Sequence, residues 1–321
     1  MAAGLLQNDR MFFKGVLPWH GLGTYIPEDK MLDCVGALGA SNGDYAVYRK
    51  PLFTEDGIKT DHFATVRADT NQVLGVVGPR YRVLQNRDAV QWFQPWIDSG
   101  EVSFHTGGTL FDGRKLWFLA QIDRPASEVV NGDNIAKFLM LSNSHDGSTA
   151  IRVGFTPIRI VCANTLAMAH HNHNSKLLRI KHTAKASQAL DMIRDVINIA
   201  NQDFEATAEQ YRFLATRKVN QTDLKNYVKI MLDIAEVEDK DISTRTKNQM
   251  VDMFNRMVNG RGQDIAGVSG TWWAAYNGVN EFFNYAQGNN ASNRLNNLWF
   301  GQNASLNRKA LDSAIYFANA V

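Results

Sequence analysis

Cysteine is nearly absent from this 321-residue chain: Cys34 and Cys162 are the only two. Two such distant thiols build neither a disulfide framework nor a C-x-x-C metal pair, so a reducing compartment is the expected setting. Long apolar runs are missing too. No uninterrupted stretch approaches the roughly 18 residues that a membrane helix needs. The N-terminal run MAAGLLQNDRMFFKGVLPWHG lacks the charged-then-apolar order of a signal peptide. A soluble protein of the cytoplasm, without membrane contact, is the expectation. Nucleotide-binding loops are absent as well: Gly21-Leu22-Gly23 has no third glycine and no strand before it, and G-x-x-x-x-G-K-S/T does not occur. That sets aside a phosphate-loop motor and a nicotinamide dehydrogenase, and no cofactor is expected.

Acidic residues are missing from residues 151–190. The net charge is +2, yet residues 151–190 carry 6 Lys/Arg and no Asp/Glu, against 14 and 17 in residues 1–150 and 14 and 15 in residues 191–321. The positive excess is therefore confined to 40 residues, within a composition (45% hydrophobic, 21% charged) that is ordinary for a globular protein.

Strand signals dominate the first half. His62 to Arg67 and Val73 to Val77 flank a turn-rich connector, and Ser103 to Phe111 and Lys115 to Ile122 flank Asp112-Gly113, a dipeptide suited to a tight turn. A third pair, Ala136 to Ser142 and Ala150 to Val161, carries Pro157, which predicts an edge or bulged strand. Between the hairpins, Asn86 to Ser99 has helical spacing behind Asn86 as N-cap, with Pro95 kinking or ending it. A short helix is predicted over Asn164 to His171. From Ala186 onward apolar residues recur every three or four positions, giving one long amphipathic helix and then helices at Leu224 to Ala235, Thr244 to Asn259, Trp272 to Gln287 and Leu306 to Ala318. The predicted fold is α+β: a mainly antiparallel sheet of hairpins packed by helices in residues 1–185, followed without a visible linker by a mostly helical region in residues 186–321.

Three clusters carry candidate chemistry. Ser144-His145-Asp146-Gly147-Ser148 holds the residue types of a hydrolytic triad, but consecutive residues in a turn diverge, and a turn is the expected role. His170, His171 and His173 suggest a metal site, against which stand the absence of H-E-x-x-H and of any nearby acid. The acid-free stretch is the sharper signal. Arg152, Arg159, Lys176, Arg179, Lys181 and Lys185 are joined upstream by Arg80, Tyr81, Arg82, Arg114, Lys115 and Trp117. Basic side chains that hold phosphates, with aromatic faces for stacking bases, bind single strands. Arg152 and Arg159 lie seven apart on one strand and share a face only if a bulge shifts the phase. The aromatics Trp272, Trp273, Tyr276, Phe283 and Tyr285 recur at helical spacing and are read first as core, with Trp273 and Tyr285 facing a neighbouring helix or subunit.

Several runs together resemble a known family. They are Pro18-Trp19-His20-Gly21-Leu22-Gly23-Thr24, Gly107 to Trp117, Leu141 to Ser148, Pro157 to Leu166, and Gly270 to Glu281. The chain resembles the phage/plasmid-like proteins built on a domain of unknown function, and the resemblance covers nearly its whole length. It implies a mobile-element setting in a bacterial host cell and brings no catalytic residues. Asn277-Gly278-Val279 departs from the commoner N-A-V pattern, which is expected to loosen that helix.

Taken together, the leading expectation is a non-enzymatic, phage- or plasmid-type protein that binds single-stranded DNA, as in annealing during recombination, and forms homo-oligomers. Its analogy to ring-forming annealing proteins is one of fold only. The alternatives are a metal-dependent hydrolase or nuclease using His145, Asp146, His170, His171 and His173, and an interaction protein that engages a host defence factor through its aromatic helical face.

Overall fold

Strands form wherever the chain can reverse cheaply, and the turns carry residues that tolerate positive φ. The computed structural model describes residues 9–18, 20–122, 125–161, 164–165, 178–183, 194–286, 293–294, 296–297 and 302–320. The first strands are β1 (Met11–Lys14) and β2 (Thr24–Ile26), followed by helix α1 (Cys34–Ala40). Next come β3 (Val47–Phe53), β4 (Lys59–Arg67) and β5 (Val73–Val77), then α2 (Asn86–Gln91) and α3 (Gln94–Asp98). Strands β6 (Val102–Leu110), β7 (Lys115–Ile122), β8 (Ser127–Val130), β9 (Asp133–Ser144), β10 (Ile151–Arg159), β11 (Asn164–Thr165) and β12 (Leu178–Ile180) complete the sheets. The β6–β7 reversal places Asp112 and Gly113 at φ values of 57° and 86°, as the Asp-Gly signal requires, and extends the positive φ to Phe111 at 57°, which that signal does not account for.

The large sheet has the order β11-β10-β9-β7-β6-β1-β2, with β12 also on β10 and β8 also on β9; β3, β4 and β5 form a second sheet. Every pairing is antiparallel except β1 with β2. Pro157 lies opposite Lys137 of β9 without a register shift. Among the described residues β12 pairs only with Ile151–Val153 and β11 only with Ile158 and Arg159. Pro157 therefore occupies the part of β10 whose outer side has no described strand partner, where its missing N–H costs nothing.

One face of the large sheet is covered by α1, α2 and α3, through a core that includes Phe12, Leu38, Val90, Phe93, Phe104, Phe118 and Leu141. Pro95 divides the predicted single helix into two short ones. Asn86 proves to be the first residue of α2 with Gln85 at the cap, because its side chain is committed elsewhere. The other face buries Met11, Leu22, Leu110, Trp117, Leu119, Phe138 and Met140. Asn164 and Thr165 are strand, not helix; the remainder of that predicted helix lies outside the described residues.

The second half is helical: α4 (Arg194–Thr216), α5 (Gln221–Met231), α6 (Thr244–Asn259), α7 (Trp272–Glu281), continued by a π turn over Phe282–Ala286, and α8 (Gln302–Asn319). Ser243 and Thr271 cap α6 and α7 by accepting from the amides of Thr246 and Ala274, the interaction that a serine or threonine N-cap supplies. Gly278 does not loosen α7. A Cβ there would lie 2.5–2.7 Å from Met257, so the missing side chain is what lets α6 approach. Trp272, Trp273, Tyr276 and Phe283 are all buried in the helical core, so of the aromatics expected to face a neighbour or partner only the half-buried Tyr285 reaches the surface.

The two halves meet at a buried ion pair. Arg159 and Asp133 are both fully buried, with Nη2 to Oδ2 at 2.6 Å and Nε to Oδ1 at 2.8 Å. Arg159 also donates to the carbonyls of Arg261 and Gly262 at 3.2 and 2.8 Å. The indole N–H of Trp273 donates to Asp133 at 2.8 Å. The end of β10 is thereby tied to α7 and to the α6–α7 connection.

Candidate nucleic-acid interface

At the opposite end of β10 the large sheet ends in a run of polar and basic groups. The antiparallel register sets Trp117, Ser142, Arg152 and Arg179 side by side across β7, β9, β10 and β12, and cross-strand partners share a face. Lys115, opposite Ser144, is two residues from Trp117 and on the same face. The sequence thus places three cations on neighbouring strand ends. Burial, and then the adjacent Arg179, disfavours the charged form of Arg152. Burial lowers the Lys115 ammonium too, against the attraction of Asp146, and Lys115 Nζ donates to Asn296 at 2.8 Å.

The connector after β5 folds over this end. Tyr81 donates its hydroxyl to the carbonyl of Ser144 at 2.8 Å and stacks on His182, ring centroids 4.7 Å apart. The amide of Arg82 donates to the carbonyl of His182 at 2.9 Å. The amide of His145 donates to the carbonyl of Arg114 at 2.8 Å, and the Thr65 hydroxyl donates to the carbonyl of His145 at 2.6 Å. Segments 79–82, 114–115, 144–146 and 179–182 therefore converge, bringing Arg80, Arg82, Arg114 and Lys181, all exposed, to the same end as Arg152 and Arg179. Among the described residues, no ion pair involves Arg80, Arg82, Arg114, Arg179 or Lys181.

Behind the cations sits a neutral network. Asn86 Nδ2 donates to the carbonyl of Gly43, so its Oδ1 is an acceptor for Asn143 Nδ2 at 3.2 Å and for His145 Nε2 at 2.8 Å. That assigns the imidazole proton to Nε2. Burial and then the neighbouring His182 bring the pKa of His145 down to about 3, and burial brings His182 down to about 4. Both are uncharged at neutral pH. Burial pushes the Asp146 carboxyl up, but hydrogen bonds from Ser144 and Ser148 and the charge of Lys115 outweigh it, for a net fall.

The Ser144-His145-Asp146 trio is not a triad. Ser144 donates to Asp146, and His145 turns away to Asn86, so the imidazole is not aligned between hydroxyl and carboxylate as a triad requires. Among the described residues no group of three or more His, Cys, Asp or Glu is placed to hold a metal. His170, His171, His173, Lys176 and Lys185 lie outside the described residues.

Two assignments made from sequence need correction. No bulge interrupts the β9–β10 register, so Arg159 lies on the face opposite to Arg152. It is also about 23 Å further along the strand, at roughly 3.3 Å per residue. With its guanidinium spent on Asp133 and two carbonyls, it is a structural residue. Trp117 is fully buried against the sheet core and edge-on to His20, centroids 5.6 Å apart, so it presents no face to a base. Asn86, which sequence reasoning took for a helix cap, is instead the hub of the network.

A model of the family described as Domain of unknown function (DUF932) matches residues 73–311, well over half of the chain. The chain belongs to that family. Neither the curated proteins nor the solved structures yield a match. The DUF932 match takes in Tyr81, Asn86, Asn143, His145 and His182 and the Arg159–Asp133–Trp273 contact, while Gly43 and Thr65 of the network lie outside it. Of the runs that resemble the family, Gly107 to Trp117 and Leu141 to Ser148 contribute to the sheet end, while Arg159 and Trp273 of two others carry the tie to the helices; Pro18 to Thr24 lies outside the match.

Proposed function

We propose that this DUF932 protein binds nucleic acid, single-stranded DNA in particular, through its phosphates and without catalysis, in a phage or plasmid setting in the cytoplasm of a bacterial cell. The observation that carries the reading is the Arg152–Arg179 pair. Like charges directly opposite on neighbouring strands are destabilising, and a polyanion laid across them relieves the repulsion. Lys115, Arg82, Arg114 and Lys181 extend the same positive end, as phosphate-tracking contacts do. The aromatic part of the expected interface is withdrawn: Trp117 is core, and Tyr81 is tied by its hydroxyl and its stack on His182. Binding then rests on charge more than on base stacking, which supports sequence tolerance. Fluorescence anisotropy with a labelled single-stranded oligonucleotide tests it. The double variant Arg82→Gln/Lys181→Gln, altered only at exposed side chains, is expected to weaken binding about tenfold or more, each phosphate contact being a charge-assisted one. Unchanged affinity in that variant would remove these residues from the interface.

A further inference from the structure

The polar groups at this sheet end are not all accounted for by the fold. Ser142 is fully buried and its hydroxyl has no partner among the described residues. It lies directly between Trp117 and Arg152 in the register, and buried polar atoms left without a partner commonly mark the place of a water or an ion. Arg152 follows on the next strand and Arg179 on the one after. Side chains directly opposite are about 4.5–5.5 Å apart at Cβ, a spacing at which a hydroxyl and two guanidinium forks reach one tetrahedral oxyanion.

Charge selects the kind of anion. Lys115, Arg152 and Arg179 bring three cationic side chains to this sheet end, and Asp146 is a carboxylate that attracts Lys115. An internal phosphodiester brings one negative charge, whereas a phosphate monoester brings about 1.5 to 2 at pH 7 together with three strong acceptor oxygens. Burial points the same way. Ser142 is wholly buried and Lys115 nearly so, which suits a group at the end of a chain better than one flanked by nucleotides on both sides.

We infer that Ser142, Arg152 and Arg179, beside Lys115, form a seat for a terminal phosphate monoester, so that the protein engages the phosphorylated end of a nucleic-acid strand. This rests on the nucleic-acid reading above and deepens it.

The test compares three oligonucleotides of one sequence, bearing a 5′-phosphate, a 3′-phosphate or only hydroxyl ends, by competition anisotropy, with inorganic phosphate as a separate ligand in calorimetry. One of the phosphorylated strands is expected to bind about tenfold tighter than the hydroxyl strand, as charge-assisted bonds to the extra charge and oxygens imply. The 5′ and 3′ arms tell which end is taken. Arg179→Gln, on an exposed side chain, is expected to bring the ratio to about one, and Ser142→Ala to reduce it. Arg152→Gln is a further variant, and Arg179→Gln keeps the test decisive if it fails to fold. Equal binding of all three strands overturns the seat and leaves the nucleic-acid reading standing. Binding of inorganic phosphate that Arg179→Gln abolishes, with no strand bound at all, supports the seat and overturns the nucleic-acid reading. Absence of binding to strands and to phosphate overturns both.

Discussion

Replacing Asp133 by alanine strips the buried guanidinium of Arg159 of its counter-charge while leaving it enclosed. Both side chains have no exposed surface, so water cannot take over the lost contacts, and removal of one member of a buried pair costs about 3–5 kcal/mol. The indole N–H of Trp273 loses its acceptor in the same step, which adds roughly 1–3 kcal/mol. Against a total stability of about 5–15 kcal/mol, the single change removes a large part of what holds the folded state together. Urea denaturation followed by tryptophan fluorescence reads the effect. The double variant Asp133→Leu/Arg159→Met should recover part of the loss, because no charge is then stranded. It should not recover all of it, since the carbonyls of Arg261 and Gly262 also lose a donor. A wild-type midpoint for Asp133→Ala would refute the claim that this pair joins the halves. Full loss of oligonucleotide binding by a folded Arg159→Met protein would refute its structural role.

Four histidines, the buried His145 and His182 and the half-buried His20 and His105, have pKa values brought down to about 3, 4, 3 and 4 respectively, mainly by desolvation. The unfolded chain, with histidine near 6.5, binds more protons than the folded one. Stability should therefore fall as pH drops below about 6.5 and keep falling toward about 3, the lower of these folded-state values; equal urea midpoints at pH 7.5 and 5 would contradict this. Gly75→Ala places a Cβ 2.5 Å from the Asp146 backbone and is expected to cost about 1–3 kcal/mol by forcing β5 off the 144–148 turn, a loss that a thermal melt would reveal or deny. Cys34 is buried, donates to the carbonyl of Val90 and has its pKa pushed up to about 12 by burial and then by Asp33 and Asp98. In the native protein it should resist iodoacetamide at pH 8, and rapid alkylation at Cys34 on peptide mapping would show that α1 does not hold it inside.

Local signals carried much of the architecture. Asp112-Gly113 and the alternation around it located β6 and β7, and Pro95 divided a helix, both through effects within a few residues. Asn86 and Arg159 were misread for the opposite reason. An asparagine ahead of an apolar run looks like a cap, and nothing nearby reveals that Gly43, Asn143 and His145 will surround it. An arginine in an acid-free stretch looks unpaired, yet its partner Asp133 is 26 residues upstream on the neighbouring strand. Charge balance within a segment runs along the chain, whereas pairing is decided across the sheet. The Arg152–Arg179 juxtaposition needed the register of β12 on β10, which no spacing in the sequence encodes. Trp117 shows the same limit: a basic-aromatic run reads as an interface, but strand alternation aims the indole into the core.

The salt dependence of binding to a labelled single-stranded oligonucleotide tests the central claim most directly. With phosphates held by Arg82, Lys115, Arg152, Arg179 and Lys181, the logarithm of affinity should fall linearly with the logarithm of salt concentration, by roughly 0.7 per phosphate contacted, and Arg179→Gln should flatten the slope by about one contact. Absence of binding at low salt, or an affinity that salt leaves unchanged, would contradict the account.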